Sequence, residues 1–171
     1  MTEKQKIMID GLVNALPDNQ KEIYRELAEY AVSLGYTPKK LKPDGTYLAF
    51  SKSKVNRTII KILANHNECI DAHDIPGLYL KFYANKEYSE PFRQGVKKVL
   101  EHFGGKYTGC YGCGKCDGTH GYIYTYPDGK QLFKCGGELV ELPPISKEHI
   151  TEIKSLLKTQ DEFFMKNLED K

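Results

Sequence analysis

The chain contains no tryptophan, no long apolar run and no large excess of charge of one sign. Among 171 residues, 25 lysines and arginines nearly balance 23 aspartates and glutamates, which leaves a formal net charge of +2. This balance provides no strong positive field to hold a nucleic-acid backbone, and it argues against nucleic acid as a partner. No segment approaches the roughly 20 apolar residues of a membrane-spanning helix, so we expect no membrane association.

Motifs that identify the commonest enzymes are also missing. The chain has no glycine-rich dinucleotide fingerprint, no Gly-x-x-x-x-Gly-Lys phosphate loop, no His-Glu-x-x-His motif and no Gly-x-Ser-x-Gly nucleophile elbow. These absences remove the commonest enzyme assignments and leave an unfamiliar enzyme open. We expect a binding protein rather than an enzyme, with a small molecule or another protein as its partner. The first ten residues contain no apolar run of the kind found in secretion signals. We therefore expect a cytoplasmic protein whose thiols stay reduced.

Four of the five cysteines lie close together in the sequence. Cys110, Cys113 and Cys116 follow one another at intervals of three, and Cys135 comes after a short hairpin. Thiolates are soft donors, and four of them satisfy the tetrahedral coordination that zinc prefers. Glycines beside the cysteines let the backbone turn tightly and aim amides at the sulfurs. The pattern predicts a structural zinc ion held by these four cysteines, with His120 as a substitute for Cys116.

Two other uses of the same cysteines stay open. Three cysteines at this spacing with a distant fourth are also typical of iron–sulfur clusters, although Cys135 is followed by glycine rather than proline. Without a metal, the thiols would be redox-active or form a disulfide. Four lysines lie near the cysteines and would offset the charge of a four-thiolate zinc site; they are Lys106, Lys115, Lys130 and Lys134. We expect zinc first, with a redox or metal-handling protein as the alternative.

Hydrophobic periodicity predicts three amphipathic helices, with N-caps at Asp18, Ser89 and Ser146. Gly35 is expected to end the first of them. Runs rich in β-branched and aromatic residues predict strands, and a Pro-Asp-Gly turn predicts a hairpin; the strands are expected at residues 46–51, 57–63, 78–84, 122–126 and 131–135. Short links between strands favour antiparallel pairing. The expected fold is α+β, with a mostly antiparallel sheet flanked by helices.

The order of these elements predicts a single α+β domain over residues 1–171. Residues 18–104 would form a helix, a strand meander and a second helix. Residues 105–142 would form a cysteine-rich metal loop and a hairpin like those of zinc ribbons. Residues 146–168 would form the last helix. We expect the zinc ion to fasten the loop to the hairpin, so that the C-terminal half depends on metal for its fold.

Two further polar clusters are interpreted as solvated loops. His66, Cys69 and His73 lie in a stretch without fixed ligand spacing, which favours an exposed loop over a second metal site or a nucleophile pair. Five lysines between Lys39 and Lys54 form a modest basic cluster near the first expected strand. Because the overall charge is balanced, this cluster favours a solvated loop over a phosphate or nucleic-acid site.

The chain has 12 tyrosines, and several alternate along strands. Tyr79 and Tyr83 share one strand face, and Tyr122, Tyr124 and Tyr126 share a face of another. Such faces more often cover a half-buried sheet. If the two faces adjoin, they would instead floor an aromatic pocket for a small molecule or a peptide.

The segment Gly-Cys-x-x-Cys-Gly-Lys-Cys at residues 109–116 precedes a Tyr-Pro-Asp-Gly turn at residues 126–129. In both features the chain resembles a group of uncharacterised small bacterial cysteine-rich proteins. The order of helix, meander and helix is more remotely similar to small α/β domains described as frataxin-like iron chaperones. The first resemblance covers most of the chain and implies a shared layout. Neither resemblance implies an activity or a set of site residues.

Overall fold

A computed structural model of the chain describes residues 1–64, 76–102, 108–112, 116 and 118–169. The described helices are α1 (Glu3–Asn14), α2 (Asp18–Ser33), α3 (Glu90–Glu101) and α4 (Ile150–Glu169). The described strands are β1 (Thr37–Lys40), β2 (Tyr47–Lys52), β3 (Arg57–Leu63), β4 (Gly77–Leu80), β5 (Gly121–Thr125), β6 (Gln131–Cys135) and β7 (Val140–Glu141).

The described strands form two antiparallel units. Five of them pair in the order β1-β2-β3-β4-β7, and β5 pairs with β6 as a separate hairpin. This arrangement confirms the expected α+β class and the mostly antiparallel sheet. In the described part of the chain, no helix combines the length and apolar character that crossing a bilayer requires.

One face of the larger sheet forms the core with the helices. Phe50, Ile60, Leu80 and Val140 are aligned across four neighbouring strands, and all four are fully buried. Helix α2 packs against β1, β2 and β3, and α4 packs against β3 and buries the apolar stripe that its periodicity predicts. Since side chains alternate along a strand, the residues between the buried ones point to the opposite face, which is polar and aromatic.

Helix α2 buries the apolar face that the sequence predicts, but its N-cap residue differs from the predicted one. Ile23, Leu27 and Ala31 are buried, and Gly35 takes a positive φ of 88° just after the helix. The residue at the N-cap position is Pro17, and no side chain caps the helix there. Asp18 is therefore the first helical residue rather than the predicted cap.

Three elements, α1, β1 and β7, are absent from the sequence-based prediction. The start of α1 is a capping box, because Thr2 Oγ1 accepts from the Gln5 amide at 3.3 Å and Gln5 Oε1 accepts from the Thr2 amide at 2.8 Å. Strand β1 contains Pro38, which an edge strand tolerates. Strand β7 has only two residues, and it pairs with β4, which is distant in sequence.

A polar triad ties the sheet to α4. Lys52 Nζ donates to both carboxylate oxygens of Asp161, at 2.8 and 2.9 Å. The Tyr36 hydroxyl donates to the same carboxylate at 2.9 Å. The side chains of Lys52 and Asp161 are only 16% and 12% exposed, so little water is available to replace either partner.

Candidate functional site

The segment that carries Cys110 runs beside the last strand of the hairpin. Gly109 forms a single parallel bridge with Lys134. The Gly109 amide donates to the Phe133 carbonyl at 2.7 Å, and the Cys135 amide donates to the Gly109 carbonyl at 3.1 Å. The bridge therefore aligns Cys110 with Cys135, although 24 residues separate them in the chain.

Two glycines aim backbone amides at cysteine sulfurs. The Gly112 amide donates to Cys110 Sγ and the Gly118 amide donates to Cys116 Sγ, both at 3.4 Å. Gly112 and Gly118 have φ values of 61° and 91°, which residues with a Cβ rarely adopt. A Cβ placed on Gly118 would lie 3.7 Å from Cys110 Sγ, so the two turns are in contact. Donation to sulfur stabilises the thiolate form, which is the form that binds metal.

The cysteines differ in exposure and do not all fall within the described residues. Cys110 is exposed, Cys116 is half-buried and Cys135 is buried. Cys113 lies outside the described residues. Among the residues that the structure describes, no three Cys, His, Asp or Glu side chains lie close enough together to hold a metal ion. The four-cysteine site therefore stays a prediction.

His120, the predicted substitute ligand, is packed between aromatic rings. Its imidazole stacks on Tyr83 with ring centroids 5.9 Å apart, and it meets Phe163 edge-on at 4.9 Å. Its carbonyl accepts from the Gly136 amide at 2.8 Å, just beyond the β5–β6 pairing. These contacts account for the position of the ring without a metal bond.

Lys134 is the buried cation beside the cysteine segment. Its side chain is fully buried, and Nζ donates to the Tyr111 hydroxyl at 3.1 Å and to Glu138 Oε2 at 3.0 Å. Lys130 is exposed in the hairpin turn, while Lys106 and Lys115 lie outside the described residues. Of the two described lysines among the four proposed to offset thiolate charge, Lys134 is the buried one, and its ammonium group pairs with Glu138 rather than with a sulfur.

Tyr83 links the cysteine-bearing strand to α4. Its ring contacts those of Tyr122, Phe163 and Phe164, and Gly136 lies directly against it. Burial raises the pKa of Tyr83 to about 12; the Arg57 charge opposes this rise, whereas charge on Cys116 and Cys135 adds to it. The phenol therefore stays protonated in neutral solution.

Gly136→Ala is expected to lower the free energy of unfolding by about 1–3 kcal/mol, because the new Cβ would overlap the Tyr83 ring. Gly11→Ala is the matched control. No atom lies within 4 Å of a Cβ at Gly11, which is exposed in α1, so that change should stabilise by about 0.5–1 kcal/mol. Urea unfolding of both variants measures the difference, and equal effects would contradict the close packing at Gly136.

The hairpin is anchored to the main sheet through a buried tyrosine. The Tyr122 hydroxyl accepts from the Phe82 amide at 3.1 Å, and the two rings meet edge-on at 5.0 Å. Burial raises the pKa of Tyr122 far above its usual range. This contact fixes the cysteine-bearing hairpin against the segment that follows β4, which also contains Tyr83.

A cleft of about 640 Å³ lies between the cysteine segment and the polar face of the sheet. Tyr47, Lys61 and Tyr79 line it from β2, β3 and β4, and Cys116 and Cys135 line it from the cysteine segment and β6. Its volume falls within the range of small-molecule sites, which is about 300–1,000 Å³. The predicted metal centre and the cleft therefore share residues.

A β-bulge shapes the floor of the cleft. The β2–β3 register shifts between Phe50 and Ser51, so that Thr58 pairs with Ser51 and Ile60 pairs with Phe50, with Ile59 as the extra residue. Without this insertion, Thr58 would lie on the same face as Ile60 and point into the core. Instead it lines the cleft, and its hydroxyl lies 2.8 Å from that of Ser51.

The tyrosine faces do not combine as the aromatic-pocket hypothesis requires. Tyr79 and Tyr83 line the cleft, as that hypothesis predicts. Tyr122 is buried in the core, and Tyr124 and Tyr126 pack edge-on with centroids 4.8 Å apart. The cleft residues Tyr47, Tyr111, Arg57, Lys61 and Lys81 are missing from the prediction. The alternation of tyrosine and lysine over residues 79–83, of which only Tyr79 lies within β4, indicates Lys81 but none of the other four.

The weaker polar clusters are only partly described by the structure. His66, Cys69 and His73 lie outside the described residues, so their interpretation as an exposed loop stays a prediction. In the lysine cluster, Lys52 pairs with Asp161, while Lys39 and Lys54 are exposed. No protein-family model, curated protein or solved structure matches this chain. The resemblances to the small cysteine-rich proteins and to the frataxin-like domains therefore stay predictions.

Proposed function

We propose that this chain is a zinc-stabilised binding protein. Cys110, Cys113, Cys116 and Cys135 would hold a structural zinc ion, and the cleft beside them would take a small ligand. The carrying observation is the pair of amide-to-sulfur hydrogen bonds at 3.4 Å, made by two glycines with positive φ. A backbone turned to donate to two sulfurs suits thiolates that bind metal.

Cys116 is a better ligand of the proposed zinc site than His120. Its sulfur already accepts a backbone hydrogen bond, whereas the His120 ring is held between Tyr83 and Phe163. A ring so confined would have to leave two aromatic contacts in order to turn toward a metal. We therefore assign Cys116, rather than His120, to the zinc ion.

The proposed ion has a structural role. Four thiolates would fill the tetrahedral positions of zinc and leave no open position for a substrate. On this proposal the cysteine segment and the β5–β6 hairpin form a unit like a zinc ribbon, and the zinc ion itself takes no part in a reaction.

The alternative is a redox or metal-handling protein in which the same cysteines react or hold an iron–sulfur cluster. The exposure of Cys110 favours it over a fully closed structural site, because a reactive thiol must be accessible. Titration of accessible thiols in the native, metal-loaded protein separates metal-bound cysteines from reactive ones, because rapid modification of Cys110 supports reactive thiols. The visible absorption spectrum then separates zinc from an iron–sulfur cluster, whose cysteines would also be protected.

Replacing one ligand tests the proposed site directly. Cys135→Ser is expected to reduce the zinc content of the purified protein from one per chain to a small fraction, because a neutral hydroxyl replaces a thiolate. Cys69→Ser is the matched control, since Cys69 lies outside the cluster, and it should keep one zinc per chain. Elemental analysis measures both variants. Equal zinc content in the two variants would overturn the assignment.

A further inference from the structure

The outer edge of β5 in the β5–β6 hairpin presents backbone groups to a further strand. In an antiparallel pair, residues that bond to the neighbouring strand alternate with residues whose N–H and C=O point away from it. The Tyr126 amide donates to the Lys130 carbonyl at 2.8 Å, in register with the hairpin, so the even-numbered residues of β5 bond to β6. The residues of β5 that point outward are Gly121, Ile123 and Thr125.

The contacts of β6 independently support this assignment. The Phe133 carbonyl accepts from the Gly109 amide at 2.7 Å, and the Cys135 amide donates to the Gly109 carbonyl at 3.1 Å. These groups of β6 point away from β5, and their residues pair with Ile123 and Gly121. The odd-numbered residues of β5 therefore point away from β6. In the described part of the chain, β5 pairs with β6 alone, and no other backbone bond reaches the outward groups of β5.

The edge of β5 lacks the features that usually prevent a strand from pairing with another chain. Natural edge strands are commonly very short, or they carry lysine or proline. The described edges of the larger sheet follow this rule, because β7 has two residues and β1 contains Pro38, Lys39 and Lys40. Strand β5 has five residues, and none of them is charged or a proline. Its edge is therefore suited to pairing with a further strand.

The outward residues of β5 match a second copy of the same strand. Two copies that run antiparallel about a two-fold axis at Ile123 would place Ile123 opposite its equivalent and Gly121 opposite Thr125. Each outward amide would then meet an outward carbonyl of the other copy. Because β5 carries no charge, no like charges would meet across the axis. Pro127, which has no N–H, would end this pairing two residues beyond Thr125.

Apolar side chains lie on the outer face of the hairpin beside this edge. Ile123 is 61% exposed, and the half-buried Phe133 is directly opposite it on β6. The Phe133 ring covers Gly121, since a Cβ there would lie 2.5 Å from the ring. Pairing of two β5 strands would bring the two Ile123 residues to about 5.5 Å between Cα atoms. The apolar surface buried between them would add to the backbone hydrogen bonds.

We infer that this chain forms a symmetric dimer through β5, in which two β5–β6 hairpins join into one antiparallel sheet. The partner at this edge is a second copy of the chain, related by the two-fold symmetry that is commonest among protein dimers. An isolated two-stranded hairpin is only marginally stable, so the added strands would also stabilise the hairpin that carries Cys135. The dimer goes beyond the proposed function and does not depend on a zinc ion.

Analytical ultracentrifugation of the full-length protein, from micromolar to millimolar concentration, tests the dimer. The wild type should shift from the mass of one 19.5 kDa chain to twice that mass as its concentration rises. Ile123→Lys would place like charges opposite each other and should weaken dimerisation by about tenfold or more. Ile7→Lys is the matched control, because Ile7 is 63% exposed in α1, and it should leave the dissociation constant unchanged. Equal weakening by the two changes would overturn the inference.

A mixture of two variants tests the symmetry of the pairing. Ile123→Lys and Ile123→Glu should each dimerise weakly alone, because each places like charges across the axis. Their equimolar mixture should dimerise at least about tenfold more tightly than either variant, since opposite charges would then meet. Recovery in the mixture also shows that both variants are folded. Folded variants, checked by circular dichroism, that gain nothing on mixing would contradict the two-fold axis at Ile123.

Amide hydrogen exchange identifies the strand edge that is used. The amides of Gly121, Ile123 and Thr125 should exchange rapidly in dilute protein and become protected in concentrated protein. The amides of Tyr122 and Tyr124 bond to β6 and should be protected at both concentrations.

Three results would overturn the inference. A dimer without the new protection uses another surface. Protection of the outward amides at both concentrations means that another part of the same chain covers the edge. Protein that stays monomeric at millimolar concentration leaves the edge to a different partner.

Discussion

Asp161→Ala is expected to lower the free energy of unfolding by about 3 kcal/mol. The change leaves the Lys52 ammonium group without its two carboxylate contacts, at 2.8 and 2.9 Å, in a place where the side chain is only 16% exposed. It also removes the acceptor of the Tyr36 hydroxyl. Removing one partner of a buried ion pair costs about 3–5 kcal/mol, and the remaining exposure places this pair at the lower end. Urea unfolding, followed by circular dichroism, measures the change.

Glu162→Ala is the matched control for that experiment. Glu162 is the next residue in α4, and its contact with Lys158 is an exposed pair at 3.9 Å, four residues apart. Exposed pairs of this kind contribute little, because water solvates either partner alone. The control variant should unfold almost as the wild type does. A similar loss in both variants would show that the Lys52–Asp161–Tyr36 triad has no special role.

Removal of the metal is expected to lower the melting temperature by about 10 °C or more. On the proposed function, the zinc ion joins the cysteine segment to β6, where the described backbone contacts are the single bridge at Gly109 and its two hydrogen bonds. The larger sheet has its own core, so loss of the ion should loosen the hairpin region first. Hydrogen exchange should show lost protection in β5 and β6 before β2 and β3.

The Cys135→Ser variant provides the control for chelation. If the variant lacks zinc, addition of the chelator should not change its melting temperature, which should already match that of chelated wild-type protein. Chelation that removes the zinc from wild-type protein without lowering its melting temperature would contradict a structural role. It would then favour the alternative in which the cysteines serve redox or metal-handling chemistry.

The sequence predicts the central strands and helices because their patterns are local. Leu78, Leu80 and Phe82 alternate with polar and aromatic residues and are buried as expected. In contrast, β1 reads as a turn because it contains Pro38, and only its position at the edge of the sheet makes the strand compatible with proline. Strand β7 is too short to show any periodicity, and its pairing with β4 is a tertiary contact.

Part of the candidate site could also be predicted from local sequence patterns. The glycines beside the cysteines predict tight turns, and one is seen at Gly112, whereas the turn at Gly118 is missing from the prediction and the ligand set stays a prediction. The cleft is a different case, because its residues come from separate strands and from the cysteine segment. Thr58 reaches the cleft only through the bulge at Ile59, which no local pattern indicates.

The metal content of the purified protein, measured together with its visible absorption spectrum, tests the central claim most directly. The proposed function predicts a colourless protein with one zinc ion per chain, bound through Cys110, Cys113, Cys116 and Cys135. Brown protein with iron and visible absorption would contradict zinc and indicate an iron–sulfur cluster. Protein that contains neither metal, after expression with both metals supplied, would contradict the metal centre altogether.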